Sequence, residues 1–283
     1  MIKGLRLKKN AKPPSKKMIA GVVFSVFILV AAFIGAGWYY FIYQPALAVA
    51  EAKRLENEKL QHDIKAVDTF YLSSLTGGGI PQFVMLLTEI VNSYELIKKF
   101  SYIKENYTCN AKGCTFNYQL DKNGTFLVID KIFWGETYKS SFSDKGFDFK
   151  NLKSGLDKNN LLTAYKANRK ITVGLCNDVL SYLYSYNSIV SADWRIIVES
   201  AKESKIATLE KTLSKGGKIK FHGLNFIKWS MKYPKMEPDD DRKLLYLASL
   251  FDRQAYKESF IIQKIDTFKE KKISGVIVCI SGV

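Results

Sequence analysis

Apolar residues fill positions 18–43 without one charged side chain. Val22, Val23, Phe24, Val26, Phe27, Ile28, Leu29, Val30, Phe33 and Ile34 lie on every side of a helix rather than along one stripe, unlike a surface helix of a globular core. A helix over these residues extends about 39 Å, against a hydrocarbon thickness of about 30 Å, so it spans a bilayer with some tilt. Its backbone polar groups are satisfied within the helix, and insertion needs no partner. Trp38, Tyr39, Tyr40 and Tyr43 gather at one end like an interfacial aromatic belt, while Lys16 and Lys17 close the other.

The pattern then changes character. Residues 44–75 read as a charged helical stalk, with Pro45 suited to its first turn. Leu60, Ile64, Val67 and Tyr71 recur at spacings of four, three and four, a candidate pairing seam. Asn57 and Lys53 interrupt the same register, so an ordinary charged stalk and a coiled coil both fit. Thr76-Gly77-Gly78-Gly79 breaks the helix and opens a folded domain over 76–283.

Within that domain, helical spacing of Phe83, Leu86, Leu87, Ile90, Val91 and Tyr94 predicts a helix over 80–95. Strand-like runs follow at 100–108, 114–120 and 125–134, the last two joined by Asp121-Lys122-Asn123-Gly124, a hairpin signal. Asp239, Asp240 and Asp241 are helix-capping carboxylates ahead of Leu244, Leu245, Leu247, Ala248 and Phe251, and strands are expected over 259–268 and 273–280. Helix–strand–strand units near both ends predict an α+β sandwich, one sheet covered on one face by helices. Residues 135–217 read as a mostly helical insert, with helices over 161–187 and 194–213; a strand over 218–233 follows, bulged at Gly223.

Charge fixes the orientation. Lys3, Arg6, Lys8, Lys9, Lys12, Lys16 and Lys17 precede the apolar run with no acidic residue among them, which holds the 17-residue tail in the cytoplasm and everything after Tyr43 across the membrane. Setting these seven aside lowers the net charge from +16 to +9, so part of the basic character is a local tail and no nucleic-acid partner is expected. Ala46-Leu47-Ala48 and Ala48-Val49-Ala50 match signal-peptidase sites, but the apolar run exceeds the 7–15 residues usual for a signal peptide, which favours a retained anchor.

Cysteine use agrees with export. Cys109 and Cys114 flank a tight turn between two strand-like runs and are a candidate disulfide across a hairpin end. Cys176 and Cys279 are candidates for a second disulfide or for small buried apolar residues, and the sequence leaves both open. Neither His62 nor His222 lies at ligand spacing from a Cys, so no metal site is expected. No P-loop, dinucleotide fingerprint, nucleophile elbow or His-Glu-x-x-His motif is present; no cofactor and no catalytic residue are expected.

A short basic tail, one membrane helix, a charged stalk and an α+β domain together make the chain resemble PilO-like inner-membrane proteins of type IV pilus assembly, to which proteins of type II secretion systems are related. Local support comes from 80–95 with its following strands and from the helix–strand–strand end over 244–280. The resemblance implies a circularly permuted ferredoxin-like fold made from two helix–strand–strand units. It also implies a non-enzymatic scaffold that binds homologous or identical inner-membrane subunits and other platform proteins. The Cys109-to-Cys114 turn and the helical insert depart from the simplest such domain and suit the type IVb kind. A membrane-anchored ligand-sensing ectodomain is the alternative, against which the short cytoplasmic tail counts; an exported hydrolase lacks its nucleophile–base pair.

Overall fold

The computed structural model describes residues 16–98, 102–120, 130–143, 146–199, 205–233 and 241–281. The chain divides into two compact units, Met1–His62 and Asp63–Val283.

The first unit holds helix α1 (Lys16–Trp38), a π-helical turn (Tyr39–Tyr43) and the larger part of α2 (Gln44–Leu75). It contains an N-terminal helical stretch long and apolar enough to cross a membrane. Large apolar side chains along it, Phe27, Phe33 and Phe41 among them, are exposed. The π-turn spaces side chains five residues apart onto one line. Trp38 accordingly stacks on Tyr43, ring centroids 5.9 Å apart, and the aromatic belt becomes a contiguous surface.

The second unit is α+β. Its helices are α3 (Ile80–Lys98), α4 (Asn160–Lys166), α5 (Cys176–Ile189), α6 (Lys205–Lys215) and α7 (Asp241–Asp252). Its strands are β1 (Tyr102–Asn110), β2 (Gly113–Leu120), β3 (Asp130–Phe133), β4 (Glu136–Lys139), β5 (Ser141–Ser143), β6 (Gly146–Leu152), β7 (Ile196–Val198), β8 (Leu224–Lys232), β9 (Phe260–Asp266) and β10 (Lys272–Ile280). Eight strands form one sheet in the order β5-β6-β2-β1-β9-β10-β8-β7, with antiparallel neighbours throughout, and β3 and β4 make a separate hairpin.

Strand alternation sends side chains to two faces. On the front, Tyr107, Phe116, Phe147, Phe149, Ile227, Trp229 and Ile277 join Phe83, Leu87, Leu247 and Phe251 of α3 and α7 in one buried core. Phe83 meets Phe251 edge-on at 5.0 Å, and Phe251 touches Trp229 and Phe260. On the back, register pairs Val278 with Phe226 and Val276 with Ile261. Val67, Tyr71 and Leu75, one per turn of α2, are buried on Asp63–Val283's own side of the division. Phe226 packs against Phe70 and Tyr71, so the end of α2 covers this back face.

Glycine makes the entry possible. Gly78 exchanges two backbone hydrogen bonds with Ile262 and so borders β9. Gly77 has φ +145°, and a Cβ there would lie 2.5 Å from the Ile262 carbonyl oxygen. At the far border of the sheet, Asn187 of α5 caps β7: its carboxamide accepts from the Ile196 N–H at 2.8 Å and donates to the Ile196 carbonyl at 2.7 Å.

Several expectations need correction. The folded unit begins at Asp63 rather than at 76, because the last three turns of α2 bury their apolar stripe in it. Residues 135–217 are not a mostly helical insert: Phe147 and Phe149 alternate with polar neighbours, and β6 and β7 belong to the main sheet. The helix expected over 161–187 is interrupted between α4 and α5, and the one over 194–213 gives way to β7 before α6. The strand over 218–233 begins only at Leu224, after Gly223 at φ +63°. The unit α5, β7 and β8, with α6 between its strands, stands beside α7, β9 and β10, while α3, β1 and β2 extend the sheet on the β9 side. The Asp121-to-Gly124 hairpin and Asp239 and Asp240 lie outside the described residues, and α7 opens at Asp241.

Candidate functional site

The place where α2 joins the sheet gathers a set of specific contacts on the back face. Tyr71 donates its hydroxyl to Glu210 Oε2 at 2.8 Å, and the other oxygen of Glu210 accepts the His222 backbone N–H at 2.7 Å. Glu210 is buried on α6 with both oxygens engaged. The Tyr71 ring lies flat on Tyr165 of α4, centroids 5.0 Å apart and planes within 3°, and Tyr165 donates to Asp68 Oδ1 at 2.9 Å. Burial, reinforced by Glu210, holds the Tyr71 hydroxyl well above the ordinary phenol range; burial and Asp68 do the same for Tyr165. Both tyrosines therefore remain proton donors to their carboxylates. His222 lies against the two rings, and burial lowers its pKa; Glu210 works against that shift and Lys220 with it.

One turn further, Asn159 organises the exit from the helix. Its amide nitrogen donates to the carbonyls of Leu75 and Gly77 at 2.7 and 2.8 Å, while its oxygen caps α4 by accepting the Leu162 N–H. Gln263 of β9 reaches the Ser74 and Thr76 carbonyls from the other side. The carbonyls orphaned at a helix end are thus met by side chains.

These contacts redefine the candidate seam. Val67 and Tyr71 are buried within the folded unit, which removes them from any pairing between stalks; Ile64 and Leu60 are half-buried. Val67 and Tyr71 form instead an intramolecular stripe continued by Leu75. Of the topology residues, Lys16 and Lys17 open α1, and Lys3, Arg6, Lys8, Lys9 and Lys12 lie outside the described residues. Both cysteine pairs are joined. Cys109 and Cys114 face each other in register across β1 and β2, and Cys176 at the start of α5 is bonded to Cys279 near the end of β10.

A second polar cluster lies under the front face. Lys131 Nζ donates to Ser93 Oγ at 3.0 Å and to the Tyr118 hydroxyl at 2.8 Å, and Tyr118 donates to Glu105 Oε1 at 2.6 Å. The ammonium lies 4.6 Å from the centre of the Phe116 ring, a cation–π contact. Burial lowers the Lys131 pKa, and Glu105 and Glu89 oppose the shift. A lysine 3.0 Å from a serine has dyad spacing; the Ser93 hydroxyl also reaches the Ile90 carbonyl at 2.9 Å, and both residues are buried. The cluster holds the β3–β4 hairpin against α3 and β2, helped by Glu89, which accepts the Trp134 N–H.

Lys131, Asn159 and Glu210 escaped the sequence reading. Lys131 carried a usable signal: alternation with Phe133 places both on the same side of β3, and the burial runs exposed, buried, exposed, buried. Asn159 carried only the local signal of an N-cap ahead of Leu161 and Leu162, and the junction partners, Tyr71 for Glu210 and Leu75 for Asn159, lie 139 and 84 residues away. No family model, curated protein or solved structure matches this chain.

Proposed function

We propose that the chain is a non-enzymatic, single-pass inner-membrane scaffold of a type IV pilus or related secretion platform. Its basic tail lies in the cytoplasm and its α+β unit in the periplasm. It acts by binding homologous or identical inner-membrane subunits and other platform proteins, with the bilayer as anchor.

The observation that carries this reading is the element order behind the apolar helix. The units α5-β7-β8 and α7-β9-β10 share four neighbouring strands in the order β9-β10-β8-β7, so the trailing strand of each unit is central. A ferredoxin-like β-α-β-β-α-β chain whose first strand is moved to the end has this arrangement. It supports the PilO-like resemblance, with the two units drawn from 176–280 instead of from the two ends of the domain. The stalk junction supports a scaffold: its carboxylates are occupied by internal donors, and they hold a helix in place.

Crosslinking in intact membranes, followed by mass-spectrometric identification of captured proteins, tests the reading. Capture of inner-membrane platform subunits is expected, as is loss of surface filaments on deletion of the gene with membrane integrity preserved. Unchanged piliation in the deletion strain, or recovery of a processed chain free in solution, overturns it.

A further inference from the structure

The two disulfides differ in access and surroundings. Cys109 and Cys114 are both sealed in the front core, facing each other across adjacent strands, and their bond follows directly from hairpin formation. The second pair is asymmetric. Cys279 is fully buried in β10, whereas Cys176 is half-buried and begins α5, well away from the hairpin bond in sequence. Asn225 of β8 is the register partner of Cys279, and its amide nitrogen, which donates to the Ser281 hydroxyl, also reaches Cys176 Sγ at 3.5 Å. One side chain therefore spans the pair, opposite one sulfur in the ladder and bonded to the other. Cys176 is the first residue of α5, where Leu175 offers no side-chain cap; Asp178 in the same turn is the opposing charge. Amide donors stabilise a thiolate, and thiolate character with access decides which cysteine exchanges.

We propose that Cys176 is the thiol–disulfide exchange site of this protein, the sulfur at which a dithiol oxidoreductase engages the chain, with Cys279 as resolving thiol and Asn225 as positioning residue. In the reduced chain the Cys176 thiolate attacks one sulfur of the oxidoreductase disulfide. That S–S bond breaks, its second sulfur leaves as a thiolate and takes up a proton, and a mixed disulfide forms at Cys176. Cys279, losing its proton, then attacks Cys176 Sγ. The mixed disulfide breaks, and the oxidoreductase departs as a dithiol carrying the two electrons lost by the cysteine pair. Reduction runs the same path backward from attack on Cys176, the accessible sulfur.

The full chain in detergent, with glutathione as probe, tests this without any platform partner, so its failure leaves the scaffold proposal standing. Under graded reduced glutathione, with iodoacetamide trapping and peptide mass mapping, Cys176 and Cys279 should become alkylated about tenfold faster than Cys109 and Cys114. With glutathione disulfide, Cys279→Ser should accumulate a glutathione adduct at Cys176. Asn225→Ala should slow adduct formation and move its pH profile upward, a readout that a purely structural role would leave in place. Opening of Cys109–Cys114 first, or a Cys279→Ser adduct forming no faster than one on Cys114→Ser, overturns the assignment. Should Cys279→Ser fail to fold, the graded-reductant order in the unsubstituted chain decides alone.

Discussion

The two faces of the sheet are held by different physics. The front is a continuous apolar core in which aromatic rings from strands and helices interlock, with a polar cluster around Lys131. The back is covered where α2 arrives, and there a few side-chain hydrogen bonds, to Glu210, Asp68 and the carbonyls at the helix end, fix a thin apolar stripe. Burial is tolerant of which apolar residue supplies it, whereas a hydrogen bond to a buried carboxylate is not. The front should therefore respond to lost volume and the back to lost donors.

The largest effect is expected on the front. Phe251→Ala removes a ring that touches Phe83, Trp229 and Phe260, and should cost about 3–5 kcal/mol in denaturant unfolding of the purified chain. On the back, Asn159→Ala strips two carbonyls of their donor and α4 of its cap, for about 2–3 kcal/mol. Hydrogen exchange should then rise at the end of α2 before the front core is affected. Tyr71→Phe keeps the ring stack and leaves one oxygen of buried Glu210 without its donor, for about 1–2 kcal/mol. A loss from Tyr71→Phe as large as that from Phe251→Ala would erase the distinction between the faces.

The smallest effect is read by pH. A His222 pKa held below its ordinary value of 6.5 means that the folded state prefers neutral imidazole. Its contribution is present above the unfolded pKa and declines as pH falls below about 6.5, because the unfolded chain takes up the proton first. The melting temperature should drop slightly across that window, and His222→Gln should flatten the drop. Asp266 belongs to a lower window. Burial pushes its pKa up, but Lys264 and the N–H groups of Lys269, Phe268 and Glu270 outweigh that and leave it below 3.8, so its contribution is lost only at more acid pH. A drop near 6.5 that persists in His222→Gln would assign the titration elsewhere.

How much of this was legible follows the same division. The N-terminal helix announces itself through an unbroken apolar run, and α3, β2, α7 and the two final strands through periodicity, which is the signal that burial writes into a sequence. Residues 135–152 hid their strands because they are short and rich in Gly, Ser, Lys and Asp, and only the Phe147–Phe149 alternation betrays the longest of them. The stalk junction was misread for a physical reason: Val67 and Tyr71 show an apolar stripe whether the surface they meet is another helix or the chain's own sheet. What decides between the two is Glu210 and Asn159, far away in sequence, and no local pattern reveals such partners.

Asn187 has a consequence for how such units could be put side by side. By presenting an amide group to the Ile196 N–H and carbonyl, it occupies the outer border of the sheet with a counterfeit strand one residue long. Copies of this unit cannot zip together backbone to backbone at that residue without first expelling the carboxamide. A neighbour arriving there must recognise side chains, and side chains, unlike the uniform peptide ladder, discriminate among partners.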